Sequence, residues 1–107
     1  MSEFKLEEIY TNNAVKSFGD ALRKALMMEE IRDYASFIEL DYSETKEQFI
    51  QAIKKFLRRY DTPARKLHLI RPSEIDLEEV MKLVDSFGVK FVKTALLSHA
   101  LVKGGKE

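Results

Sequence analysis

Between Phe49 and Tyr60, six apolar residues (Phe49, Ile50, Ile53, Phe56, Leu57 and Tyr60) recur at intervals of three and four. At 100° per residue they fall within an arc of about 120°, while Lys54, Lys55, Arg58 and Arg59 occupy a separate arc of about 140°. A strand, whose side chains alternate with period two, would mix the two sets on both faces. The segment is therefore expected to be a helix that buries one side and offers cations on the other. Thr45, with Gln48 three residues later, supplies the capping box that opens it.

The same periodicity runs along most of the chain. Asn12 or Asn13 is placed to cap a helix carrying Ala14, Val15, Phe18, Ala21, Leu22, Ala25 and Leu26. Gly19 interrupts that helix at a cost of roughly 1 kcal/mol relative to Ala, which a close helix crossing at this point would offset. Ile31, Tyr34, Ala35, Phe37 and Ile38 extend the pattern into a second helical segment ending near Leu40. After Tyr60 two readings stand: Thr62-Pro63 starts a new short helix, or Leu67-His68-Leu69-Ile70 runs extended. Ser73 with Asp76 marks a further amino-terminal signature, followed by Ile75, Leu77, Val80, Met81, Val84 and Phe87 and by Gly88 as a left-handed C-cap. Val89, Val92, Ala95, Leu96, His99 and Val102 define a last helix. Residues 1–10 and 104–107 are expected to be less ordered. With 107 residues and no linker or repeat, the chain is predicted to be one all-α domain over residues 1–107, a compact bundle of about five helices.

Equal totals of acid and base hide a strong segregation. Residues 1–47 hold 6 Lys/Arg against 11 Asp/Glu, residues 48–71 hold 7 against 1, and residues 72–107 hold 5 against 6. The basic block is Lys54, Lys55, Arg58, Arg59, Arg65, Lys66 and Arg71. No acid lies between Gln48 and Tyr60, so Lys54/Arg58 and Lys55/Arg59 are like-charged neighbours one turn apart, which repel by a few tenths of a kcal/mol each. A solvated helix face is one explanation of such a run. A phosphate chain or an acidic partner that relieves the repulsion is the other. On that second reading Lys54, Lys55, Arg58, Arg59, Arg65 and Lys66 are the nucleic-acid-binding residues, with Tyr60 the one aromatic near them. The acidic set Glu29, Glu30, Asp33, Glu39, Asp41, Glu44 and Glu47 lacks a histidine and fits no calcium loop. It reads as solvated surface, or as a face that meets the basic strip of another copy.

Candidate active sites are not found. Without Cys there are no disulfides, zinc–thiolate sites or thiol nucleophiles. His68 and His99 each sit in an apolar context that predicts packing or partial burial rather than catalysis, and Arg65 is too close to His68 for the Arg–His spacing of HEPN ribonucleases. Ser98 and His99, adjacent on a helix, point apart. Gly104-Gly105-Lys106 lacks the strand and preceding glycine of a phosphate loop. The expectation is a non-enzymatic protein with no metal, cofactor or small-molecule substrate. Neither a signal peptide nor a run of about 18 apolar residues is visible, so a cytoplasmic, membrane-free protein is expected. The charged content of 34%, with Asn only at 12 and 13 and Gln only at 48 and 51, has the balance of thermophile proteins.

Four stretches carry a resemblance: Asn12-Asn13 leading into Phe18-Gly19-Asp20-Ala21-Leu22-Arg23, Glu44-Thr45-Lys46-Glu47-Gln48-Phe49, Pro72-Ser73-Glu74, and Leu96-Leu97-Ser98-His99-Ala100. Together they make the chain resemble the small subunit of archaeal type I-A CRISPR effector complexes (Cascade), a family of short, all-helical, non-enzymatic proteins. The resemblance implies several copies lying beside the guide RNA and target DNA and helping to hold the displaced strand. The partners it implies are other subunits of the effector complex, further copies of the chain and the nucleic-acid backbone. Two alternatives stand beside it. One is a helical adaptor that binds only protein. The other is a small helix-turn-helix regulator using the turn Ser86-Phe87-Gly88-Val89, although the helix after it offers only Lys90, Lys93 and Lys103 and no side chain for bidentate base contacts.

Overall fold

The computed structural model describes residues 2–101, which form six α-helices and one 3-10 turn. They are α1 (Ser2–Tyr10), α2 (Asn13–Met27), α3 (Tyr34–Tyr42), α4 (Lys46–Leu67), the turn at Pro72–Glu74, α5 (Leu77–Phe87) and α6 (Val89–Leu101). The fold is the expected helical bundle. The tail at 104–107 lies outside the described residues, as do Val102 and Lys103.

The caps follow the sequence closely. Asn12 accepts from the backbone N–H groups of Ala14 and Val15 at the start of α2, and Thr45 and Gln48 form the reciprocal capping box of α4. For α5 the cap is Asp76, which accepts from the Glu79 N–H, while Ser73 falls in the preceding turn. Gly88 joins α5 to α6 with φ 96° and ψ 158°. That is the extended positive-φ region open essentially to glycine alone, rather than the left-handed helical cap expected.

Three departures matter. Residues 2–10, expected to be less ordered, are helical, and Ile9 of α1 is fully buried. The helix after Thr45 does not stop at Tyr60 but continues through Pro63 to Leu67, so residues 62–67 are helical as one of the two readings has it, but as part of α4 rather than a new short helix. Proline in a helix interior removes one backbone hydrogen bond and costs about 3 kcal/mol. Here Tyr60 and Ala64 remain buried on the same face, and Asp61 pairs with Arg65 across the proline, so packing outweighs the break. His68, with φ 59°, then ends α4 in the left-handed conformation.

Third, α3 faces the other way. Its buried positions are Ser36 and Leu40, whereas Tyr34, Ala35 and Ile38 are exposed. The core itself is a single cluster built from α1, α2, α4, α5, α6 and Leu40 of α3. Its centre is α6, which packs against α1, α2, α3 and α5. The crossing of α2 and α6 is close at Gly19, as expected: a Cβ there would collide with the Cβ of His99 and lie 3.2 Å from the Leu96 carbonyl oxygen.

Candidate nucleic-acid interface

α4 carries its cations on the side opposite the core. Lys54, Lys55, Arg58, Arg59, Arg65 and Lys66 are all exposed, while Phe49, Ile53, Phe56, Tyr60 and Ala64 are buried. The six cations are not equivalent. Lys55 Nζ lies 3.5 Å from Glu39 Oε2 of α3. Arg59 Nη1 donates to the Ser36 hydroxyl at 2.8 Å and lies 3.4 Å from Asp33 Oδ1. Arg65 pairs with Asp61 one turn earlier. Among the described residues, no carboxylate oxygen lies within 4.0 Å of Lys54, Arg58 or Lys66.

Half of the strip therefore works inside the molecule. Asp33 caps α3 by accepting from the Ser36 N–H at 3.1 Å, its other oxygen takes the Ser36 hydroxyl at 2.6 Å, and Arg59 closes the network from α4. Asp33 is only 10% exposed, so this pair is better shielded from water than an ordinary surface ion pair. The repulsion between Lys55 and Arg59 is relieved by Glu39 and Asp33 of the same chain. That between Lys54 and Arg58 is not. The acidic set is likewise divided: Asp33 and Glu39 meet α4, and Glu29 approaches Arg32 at 3.6 Å. Among the described residues no three potential ligands gather into a metal site.

Tyr60 belongs to the core. It is 1% exposed and stacks on Phe56 at 5.3 Å, which in turn stacks on Phe18 at 5.6 Å. Its hydroxyl has no hydrogen-bond partner among the described residues, and burial, aided by the negative charge of Asp20, pushes the phenol up to about 12. No base can stack on this ring.

The histidines differ from each other. His99 is partly buried, with its ring stacked on Tyr10 at 3.9 Å and Nε2 2.6 Å from the Tyr10 carbonyl oxygen. His68, expected to be packed, is exposed, because the left-handed turn that ends α4 lifts it off the core. Nor does α6 stand out as a base-reading helix. Val92, Ala95, Leu96, Leu97 and Ala100 bury it on several sides, and Lys93 donates to the carbonyl oxygens of Asp41 and Ser43 at 2.7 Å each, capping α3.

Periodicity alone missed one further surface, the exposed row Tyr34, Ile38 and Tyr42 on α3. Apolar residues spread over about 220° of the segment with Asp41 among them, so the amphipathic signal is too weak to orient it. The usable hint was polar: Asp33 and Ser36 have N-cap spacing, and a capped Ser36 turns its side of the helix inward.

No protein-family model matches the chain, and no solved structure matches it significantly. Among curated proteins, the chain is similar to an uncharacterized protein of Archaeoglobus fulgidus, with 58% identity over 111 aligned positions that cover 100% of this chain and 91% of the relative.

Proposed function

The chain belongs to the same family as the Archaeoglobus fulgidus protein, and we propose that it serves as a non-catalytic small subunit of a type I CRISPR effector complex. In this role it contacts neighbouring subunits and the nucleic-acid backbone and helps to hold the displaced DNA strand. The observation that carries the reading is the row Lys54, Arg58 and Lys66: exposed cations on one helix, without a carboxylate partner among the described residues. From Lys54 to Lys66 the helix rises about 18 Å, long enough to follow several phosphates. With Tyr60 buried, the contact is to phosphate rather than to bases, so binding is indifferent to sequence and gains strength from avidity within an assembly. The resemblance of four stretches of the sequence to the small-subunit family supports the same class.

The test is a complex purified with Lys54→Glu/Arg58→Glu in place of the parent chain. Arg59 is unsuitable, since it also fastens α3. Single-strand binding should weaken with salt at a log–log slope of about −0.7 per phosphate contact, and the double variant should flatten that slope by about 1.4. An intact complex with unchanged affinity and slope would overturn the proposal. Loss of the variant from the complex with no DNA present would instead favour the protein-only adaptor.

A further inference from the structure

Two helices of this fold carry wide apolar arcs: α6 on all sides, and α3 over about 220°, from Leu40 round to Ala35. Such a helix needs cover over that whole arc. α6 has it from four neighbours. α3 packs through Ser36, Leu40 and part of Phe37, and leaves Tyr34, Ile38 and Tyr42 at 55%, 53% and 77% exposure. Spaced by four, these three form one ridge. By helical spacing Asp41 borders it on one side and Glu39 on the other. Next to Glu39 a groove of about 390 Å³ opens between α3 and α4, lined by Glu39, Tyr42, Glu47, Gln51, Ala52 and Lys55. Lys55 approaches one carboxylate oxygen of Glu39, but the other, Oε1, is buried and has no hydrogen-bond partner among the described residues. The groove lining thus holds two carboxylates, Glu39 and the exposed Glu47, against the one ammonium of Lys55.

We propose that the ridge and groove dock an amphipathic basic segment of another protein. Its apolar side chains lie along Tyr34, Ile38 and Tyr42, and a lysine or arginine enters the groove to meet Glu39 and Glu47, with the Tyr42 ring as a cation–π wall. Charge selects this occupant. A nucleic-acid strand would bring phosphates against Asp41, Glu39 and Glu47. A second copy fits poorly too: ridge against ridge opposes like charges, and the basic face of α4 has no large exposed apolar side chain to cover the ridge. This docking stands whether or not the strip on α4 binds phosphate.

The experiment titrates the full chain, by NMR and without nucleic acid, with a synthetic helical peptide bearing leucines at three- and four-residue spacing flanked by lysine and arginine. A second peptide has glutamate at the charged positions. The basic peptide should shift the amides of residues 34–42 and 47–55 and bind at least about tenfold more tightly than the acidic one. Ile38→Ser/Tyr42→Ser, at exposed positions, should keep the parent melting temperature and weaken binding about tenfold, and Glu39→Gln should weaken the basic peptide selectively. No binding, equal affinity for both peptides, or shifts confined to other surfaces would overturn the proposal. So would a dimer of the free chain, seen by sedimentation, that Ile38→Ser/Tyr42→Ser abolishes, since it would assign the ridge to a second copy.

Discussion

Gly19 of α2 faces His99 of α6 with no space for a methyl group between them, since a Cβ on Gly19 would strike the Cβ of the histidine beside the Leu96 carbonyl. The collision is with the root of a side chain, which cannot swing aside. Gly19→Ala gains up to about 1 kcal/mol of helix propensity but forces α2 and α6 apart, a distortion of the kind that costs about 1 to 3 kcal/mol. Urea unfolding should show a net loss of up to about 2 kcal/mol. A variant more stable than the parent would contradict the close crossing.

Arg58 and Arg59, adjacent in sequence, should respond oppositely to truncation. Arg58→Ala removes an exposed side chain without a carboxylate partner among the described residues and should change stability by no more than about 0.5 kcal/mol. Arg59→Ala takes a charged donor from the fully buried Ser36 and from Asp33, and should cost about 1 to 2 kcal/mol. Thermal melts of the two single variants decide it.

Phe56→Ala empties the centre of the Phe18–Phe56–Tyr60 stack and should cost about 3 to 5 kcal/mol. A variant that melts with the parent would remove α4 from the core.

Tyr60→Phe should be neutral or stabilising, because it deletes a buried hydroxyl that has no partner among the described residues. The effect depends on pH. The phenol sits near 10.0 when solvated and is pushed up to about 12 in the fold, so the unfolded chain releases this proton first. The contribution is fully present below about pH 10 and is lost as pH rises through 12. Alkaline unfolding curves should show the parent weakening across that interval more steeply than Tyr60→Phe.

The legible parts of this fold are those where one arc of a helix is apolar and the rest polar. α4 is the clearest case, and Asn12, Thr45 and Gly19 mark caps and a crossing by residue type alone. What escaped has physical reasons. In α3 the polar side, Ser36 and Glu39, turns inward to the core and to Lys55 of α4, the reverse of what polarity signals, and the burial of α1 rests on Ile9 with partial cover over Leu6 and Tyr10. Pro63 carries a strong stop signal that the packing of Tyr60 and Ala64 overrides. Of the six cations expected at the interface, Lys54, Arg58 and Lys66 have no carboxylate partner among the described residues. Lys55 and Arg59 find partners on α3, and Arg59 reaches Asp33 across 26 positions of chain. Such pairs form only after the helices have packed.

The central place of α6 sets the order in which this protein can be made. α1, α2, α3 and α5 all close onto a helix that follows them in the chain. A nascent chain released only as far as Gly88 holds α1, α2, α3 and α5 without the helix they share, so that part of the core stays open to solvent. Closing the core therefore needs Val89–Leu101 clear of the ribosome, and a chain ended at Gly88 is expected to lose the cooperative melt of the parent.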